Sequence, residues 1–136
     1  AAFGMLQLRH IDKALERRKE IAATYREALA DVPGIRCLQD VGGEIANHAY
    51  FPILVEPEYP LSRDALYQKL RDHGIFARRY FYPLITDFPM YRGLPSAQKS
   101  NLPAASIAAD RVLCLPIYSA LENSSIEKVS NLVSEN

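Results

Sequence analysis

HAYFPILVEPEYPLSRDALYQKLRDHGIFARR, residues 48–79, reads as strand, helix and strand in a row. His48 to Glu56 is rich in Tyr, Phe, Ile and Val, whose branched and aromatic side chains fit a pleated, half-buried surface. Pro52 inside it has no N–H for a ladder, so this strand is expected to have a free edge or a bulge there. Ser62 is placed to cap a helix over Arg63 to His73, which buries Leu66 and Leu70 and stops at Gly74. Ile75 to Arg79 then forms the next strand.

Upstream, AAFGMLQLRHIDKALERRKEIAATYREAL carries apolar side chains at Leu8, Ile11, Leu15, Ala22, Tyr25 and Leu29. That spacing predicts one continuous amphipathic helix, much longer than the mean of about 11 residues. It opens at Ala1, Ala2 and Phe3 without a capping residue or an initiating Met, as expected of a piece of a longer protein. Asp31-Val32-Pro33-Gly34 stops it, because proline and glycine do not continue a helix. Ile35 to Gln39 reads as a short strand and Asp40 to Asn47, with Gly42 and Gly43, as a turn.

Downstream, Tyr80 to Leu102 holds Pro83, Pro89, Pro95 and an Arg92-Gly93 turn signal, and has no period. Loops of this length in compact domains are usually functional or docked on a partner. Pro103 starts a short helix to about Asp110, and Val112 to Leu115 is a further strand. Ser124 with Glu127 has capping-box spacing, and Ile126, Val129, Leu132 and Val133 give the last helix a buried face. The mixed order predicts an α+β fold, a small, mainly antiparallel sheet with helices packed on one face, led by a long N-terminal helix.

The 136 residues suffice for one domain and not for a two-domain enzyme, and 49% hydrophobic residues provide a core. Sixteen Lys and Arg against sixteen Asp and Glu leave no net charge to draw the chain to nucleic acid or to an anionic membrane. No apolar run approaches the roughly 18 residues of a membrane span, and the opening residues do not read as a basic n-region followed by an apolar h-region. Cys37 and Cys114 sit in apolar settings and read as buried thiols, which makes the cytoplasm the simplest location.

Candidate chemistry is sparse. His10, His48 and His73 lack metal-ligand spacing and read as structural, and Gly42-Gly43 lacks the rest of a nucleotide-binding fingerprint. The dense signal is ARRYFYPLITDFPMYRG, residues 77–93, in which Arg78 and Arg79 meet Tyr80, Phe81 and Tyr82. Guanidinium forks suit carboxylate or phosphate, and the rings offer stacking faces and phenol hydroxyls, so the segment suits an anionic, ring-containing ligand. A strand running into an aromatic core corner fits the same pattern. The position at a strand end, where a long loop begins, favours recognition.

AAFGMLQL, the helix with Leu15, Arg18 and Ile21, HAYFPILV, SRDALYQKL, GIFARRYFYPL and VLCLPIYSAL, in that order, resemble the C-terminal part of the DegT/DnrJ-type sugar aminotransferases. These are fold-type I enzymes that use pyridoxal phosphate. RRYFYPLITDFPMYRGLP resembles the subgroup acting on dTDP-linked keto-6-deoxyhexoses in the making of surface polysaccharides. The resemblance implies that residues 1–136 form the small C-terminal domain, with the large cofactor-binding domain and its Schiff-base lysine upstream. Lys13, Lys19, Lys69, Lys99 and Lys128 match no cofactor-binding pattern, so the piece alone is expected to bind no pyridoxal phosphate and to be inactive.

In the parent enzyme the resemblance implies amino transfer, from glutamate, to the nucleotide-sugar, and a homodimer. Substrate binding falls to Tyr80, Phe81, Tyr82, Arg79 and Arg78. Tyr80 and Phe81 stand where many members carry a His-Tyr pair, and the Tyr80 phenol can still donate to a sugar hydroxyl or phosphate. Alternation along the strand lets only one of the two arginines point into the cleft. No residue is assigned as catalytic, cofactor-binding or metal-binding. A different class, a stand-alone α+β ligand-sensing or dimerisation module of ferredoxin-like type, is the competing reading.

Overall fold

The computed structural model describes residues 2–43 and 45–135, so Ala1, Asn136 and, within the expected 40–47 turn, Glu44 lie outside it. In chain order the elements are α1 (Ala2–Leu8), α2 (Ile11–Leu29), β1 (Ile35–Cys37), β2 (Phe51–Val55), α3 (Arg63–Asp72), α4 (Pro103–Arg111), β3 (Val112–Leu115) and α5 (Asn123–Ser134). The strands form one antiparallel sheet in the order β1-β2-β3. Ile35 pairs with Val55, and Phe51 with Leu115. The α+β architecture expected from the sequence is the one observed. Among the described residues there is no fourth strand, which the ferredoxin-like arrangement requires.

The core lies on one face of this sheet. Along β2, Phe51, Ile53 and Val55 are buried while Pro52 and Leu54 are half-buried, the two-residue alternation of a strand with one covered face. The cover is the stripe Ile21, Ala22, Tyr25 and Leu29 of α2, Leu66 and Leu70 of α3, and Ile126, Val129 and Val133 of α5. Two phenols tie this layer to the backbone: Tyr59 donates to the Val133 carbonyl at 2.7 Å and Tyr25 to the Pro116 carbonyl at 3.1 Å. Burial pushes the Tyr25 phenol pKa up, with the nearby Tyr118 adding to the effect.

α3 follows its sequence signals closely. The Ser62 side chain accepts from the Ala65 N–H. At the other end Gly74 has φ +77°, its N–H donates to Arg71, and the Ile75 N–H donates to Leu70, the two bonds of a Schellman motif. Ile75 and Leu70 both enter the core, so this cap also fixes where the segment after the helix begins.

Four expectations are corrected. The first helix is not continuous: Arg9 and His10 bond back three residues, to Leu6 and Gln7, and this tightened turn separates α1 from α2. α1 buries no residue. The strand expected at Ile75–Arg79 shrinks to a single bridge, with Arg78 and Cys114 exchanging N–H to carbonyl bonds of 2.9 and 2.8 Å. Ile75 and Ala77 are buried and Phe76 and Arg78 exposed, so the alternation survives where the ladder does not.

The Ser124–Glu127 capping box does not form, because Glu122 is the N-cap of α5 and makes no side-chain cap bond. Arg17 instead holds this end, donating to the Leu121 carbonyl at 2.8 Å and to Asn123 Oδ1 at 2.7 Å. Finally, β2 is the central strand and not an edge. Pro52 is tolerated because Cys114, opposite it, directs its own N–H and carbonyl to Arg78, while β1 has already ended at Cys37, opposite Ile53. No ladder bond is lost.

Candidate functional site

Residues 77–83 cross from the single bridge at Arg78 into the long loop, which holds three short 3-10 turns at Ile85–Asp87, Pro95–Ala97 and Lys99–Asn101. The peptide bonds Tyr80–Phe81 and Tyr82–Pro83 are cis. Alternation sends the two arginines to different places. Arg79 donates to Asp64 Oδ1 at 3.1 Å, and its guanidinium lies 4.6 Å from the Tyr67 ring centre and 4.9 Å from that of Tyr82. Arg78 lines a cleft of about 520 Å³ with Tyr50, Tyr118 and Lys128.

Tyr82 is gripped from a second direction. Arg63, only 4% exposed, sits 4.6 Å from the same ring. Its guanidinium donates to Asp64 at 2.9 Å and to the carbonyls of Ala109 and Val112 at 2.8 and 3.1 Å, neutralising the negative end of α4. A buried cation held by a carboxylate, two carbonyls and a ring is satisfied where it stands. Tyr82 and Arg79 therefore belong to a network that fixes the loop's departure from the sheet.

Tyr80 and Phe81 are left on the open side. The Tyr80 ring stacks on Tyr50, with centres 4.5 Å apart, and lies 3.8 Å from that of Phe81. A hydrogen bond with the Tyr50 side chain, then burial, raises the Tyr80 phenol pKa, so the group remains a proton donor at neutral pH. Phe81 is 66% exposed, and its ring meets solvent. Tyr50 and Tyr118 were not singled out in the sequence, although each is an aromatic at a strand end, where recognition residues gather. Lys128 reaches the cleft from α5, and no local pattern links it to Arg78.

The remaining candidates are accounted for locally. His10 is the N-cap residue of α2, His73 Nδ1 contacts the Lys69 carbonyl at 2.8 Å, and His48, at φ +45°, lies 3.9 Å from Asp40. Cys37 and Cys114 are free thiols, and burial raises both, Cys114 to about 11. Among the described residues no group of three or more His, Cys, Asp or Glu could hold a metal ion, and no helix is long and apolar enough to cross a membrane.

A pyridoxal phosphate Schiff base needs a desolvated lysine in a closed site. The five lysines do not fit: Lys13, Lys19, Lys99 and Lys128 are exposed, and the half-buried Lys69 donates to the Glu135 carbonyl. No step through the cofactor is assigned to these residues.

The chain is 45% identical over 133 residues to the dTDP-4-amino-4,6-dideoxy-D-glucose transaminase of Escherichia coli, which spans 98% of this chain and 36% of that protein. It is 32% identical to the dTDP-4-dehydro-2,3,6-trideoxy-D-glucose 4-aminotransferase of Saccharopolyspora spinosa, over 96% of this chain and 32% of that one. A solved structure of DesI in the presence of its TDP-sugar product matches with a TM-score of 0.88 at 30% identity, covering 96% of this chain and 33% of DesI. This chain thus spans about a third of the length of the relatives it matches. Residues 1–134 match one family along nearly the entire sequence, and the chain belongs to that family, the DegT/DnrJ/EryC1/StrS aminotransferases.

Proposed function

We propose that this chain is the small C-terminal domain of a pyridoxal-phosphate-dependent aminotransferase that moves an amino group from glutamate to a dTDP-linked keto-6-deoxyhexose, for surface-polysaccharide synthesis. The observation that carries this reading is the near half identity, end to end, with a dTDP-sugar transaminase. The large domain, upstream in the parent, supplies the Schiff-base lysine that these residues lack. The parent works in the cytoplasm as a homodimer.

The carbanion chemistry of such enzymes belongs to the cofactor, and the protein binds, orients and selects. In this domain Tyr80 faces the sugar and donates to a hydroxyl or phosphate oxygen, Phe81 presents a ring face, and Arg78 supplies positive charge. Arg79 and Tyr82, held by Asp64 and Arg63, set the loop from which the other three reach the substrate. The isolated domain is inactive and binds no cofactor. The test is amino transfer by the full-length protein from glutamate to dTDP-linked keto-6-deoxyhexoses, followed by mass spectrometry. An aminated nucleotide-sugar with matching 2-oxoglutarate is expected, and failure with every keto-sugar nucleotide would refute the assignment.

A further inference from the structure

Arg63 stands against the local logic of α3. It is the first residue of that helix, where a positive charge opposes the helix dipole, and Ser62 already caps this end. It is also only 4% exposed, and a buried guanidinium is costly unless its N–H groups are met. The helix does not need a cation there, because Leu66 and Leu70 supply its buried face and the Asp64 carboxylate suits its first turn.

The partners of Arg63 lie on another part of the chain. Residues 83–111 run out after Tyr82 and return into β3 at Val112. Along that stretch only Ala97 and Ala109 are buried, and its backbone hydrogen bonds are short-range, such as those from Tyr91 to Phe88 and from Ala97 to Leu94. The excursion has almost no core of its own, so its course depends on how its two ends are held. At the departure, the Arg63 guanidinium lies 4.6 Å from the Tyr82 ring centre. At the return, it donates to the carbonyls of Ala109 and Val112.

One side chain thus touches both ends. Asp64 Oδ1 accepts from Arg63 at 2.9 Å and from Arg79 at 3.1 Å, which brings the second guanidinium to the same Tyr82 ring. The bridge from Arg78 to Cys114 and the ion pair of Arg111 with Glu56 each tie one end alone.

We infer that Arg63, with Asp64, is a positioning residue for substrate binding: it staples the departure and the return of the 83–111 excursion, so that Tyr80 and Phe81 are presented in one arrangement before substrate arrives. The inference rests on the proposed reaction and on the placing of Tyr80 and Phe81 against the sugar. Arg63 and Asp64 act through those residues and through Tyr82 and Arg79. Such pre-organisation works on affinity. Without the staple the nucleotide-sugar must order the segment as it binds, and binding is weakened by the fraction of molecules already in the competent arrangement.

The test uses the full-length, cofactor-loaded protein. Arg63→Lys keeps the charge and loses the fork, and Asp64→Asn, at a side chain 55% exposed, keeps the shape and loses the shared charge. In single-turnover reactions Arg63→Lys should raise the half-saturating concentration of nucleotide-sugar about tenfold, which corresponds to a competent fraction of about one tenth. The limiting rate and the half-reaction with glutamate should stay within about twofold, the pattern of lost binding without lost chemistry. Asp64→Asn should move the same parameter in the same direction by a smaller factor, and it decides the question if Arg63→Lys fails to fold. Hydrogen exchange should rise across residues 80–102 in both variants and not in α2 or β2. Gly34→Ala, whose strain lies outside this cluster, should leave the half-saturating concentration unchanged although it destabilises the domain.

Unchanged exchange across residues 80–102, or a loss shared equally by the two half-reactions, would overturn the staple, and persisting amino transfer would then leave the proposed function standing. If the wild type transfers no amino group, the proposed function falls, and the exchange measurement alone decides whether Arg63 holds the loop.

Discussion

Replacing Tyr80 by Phe removes one hydroxyl and leaves the ring. The stack on Tyr50, with centres 4.5 Å apart, and the contact with Phe81 at 3.8 Å are made by ring faces and survive the change. The hydroxyl's internal partner is Tyr50, which is 45% exposed, so water replaces the lost bond and stability should shift by less than about 0.5 kcal/mol. A hydrogen bond to a neutral group on the sugar contributes about 0.5–1.5 kcal/mol, which corresponds to roughly 2- to 13-fold in rate or affinity. Single-turnover kinetics of the full-length protein separate the two halves of the reaction. The half with nucleotide-sugar should slow by that factor and the half with glutamate should not change, because only the sugar reaches this loop. If both halves are untouched, the aromatic run is a core corner; if both slow equally, Tyr80 supports the fold and the assignment to the sugar is wrong.

Gly34→Ala should destabilise the domain by at least ~1 kcal/mol in urea melts, because φ is +78° and a Cβ there would lie 2.2 Å from the Tyr59 backbone nitrogen. The Glu56 carboxyl is held below its usual range, first by the hydrogen bond from Arg36 and further by Arg111. A depressed carboxylate pKa stabilises the fold above the unfolded-state value of roughly 4.3, and that contribution is lost as pH falls through the folded value. The melting-temperature gap between wild type and Glu56→Gln should therefore be full at neutral pH and close on acidification; a gap that widens below pH ~4 would reverse the sign. The isolated 136-residue chain should self-associate through α1, where Phe3 is 74% exposed and Met5, Leu6 and Leu8 are also open. Light scattering should show a concentration-dependent mass that drops in a Phe3→Ser/Met5→Ser variant, and a monodisperse monomer at high concentration would count against this.

Local signals carried most of the fold. Ser62 and Gly74 bracket α3 because both caps use bonds within a few residues of the helix, and Ala22, Tyr25 and Leu29 of α2 and Ile126, Val129 and Val133 of α5 are buried where the spacing puts them, whereas Leu8 and Ile11, on the same expected stripe, are exposed. What escaped reading depends on distant partners. The start of α5 is held by Arg17, more than a hundred residues away, so the nearby Ser124–Glu127 pattern was misleading. Residues 75–79 have strand-like alternation, yet only Arg78 finds a partner, and composition cannot reveal how long a ladder runs. Nor does the break at Arg9–His10 disturb the apolar spacing on either side of it.

In the candidate site, the run of arginines and aromatics at 78–82 was legible because it is contiguous. The division of labour within it was not. Asp64 and Arg63 on α3 take Arg79 and Tyr82, whereas Lys128 on α5 and Tyr118 after β3 join Arg78 at the cleft. Those assignments exist only once α3, α5 and β3 are packed around the end of β2.

The central claim, that this chain is the substrate-facing domain of an aminotransferase whose cofactor lysine lies elsewhere, has a direct test. The full-length protein is loaded with pyridoxal phosphate, reduced with borohydride, digested and mapped by mass spectrometry. The phosphopyridoxyl label is predicted on a single lysine outside these 136 residues, and the isolated chain, treated in the same way, should carry no stoichiometric label. A stoichiometric label on Lys13, Lys19, Lys69, Lys99 or Lys128, accompanied by turnover, would contradict the account.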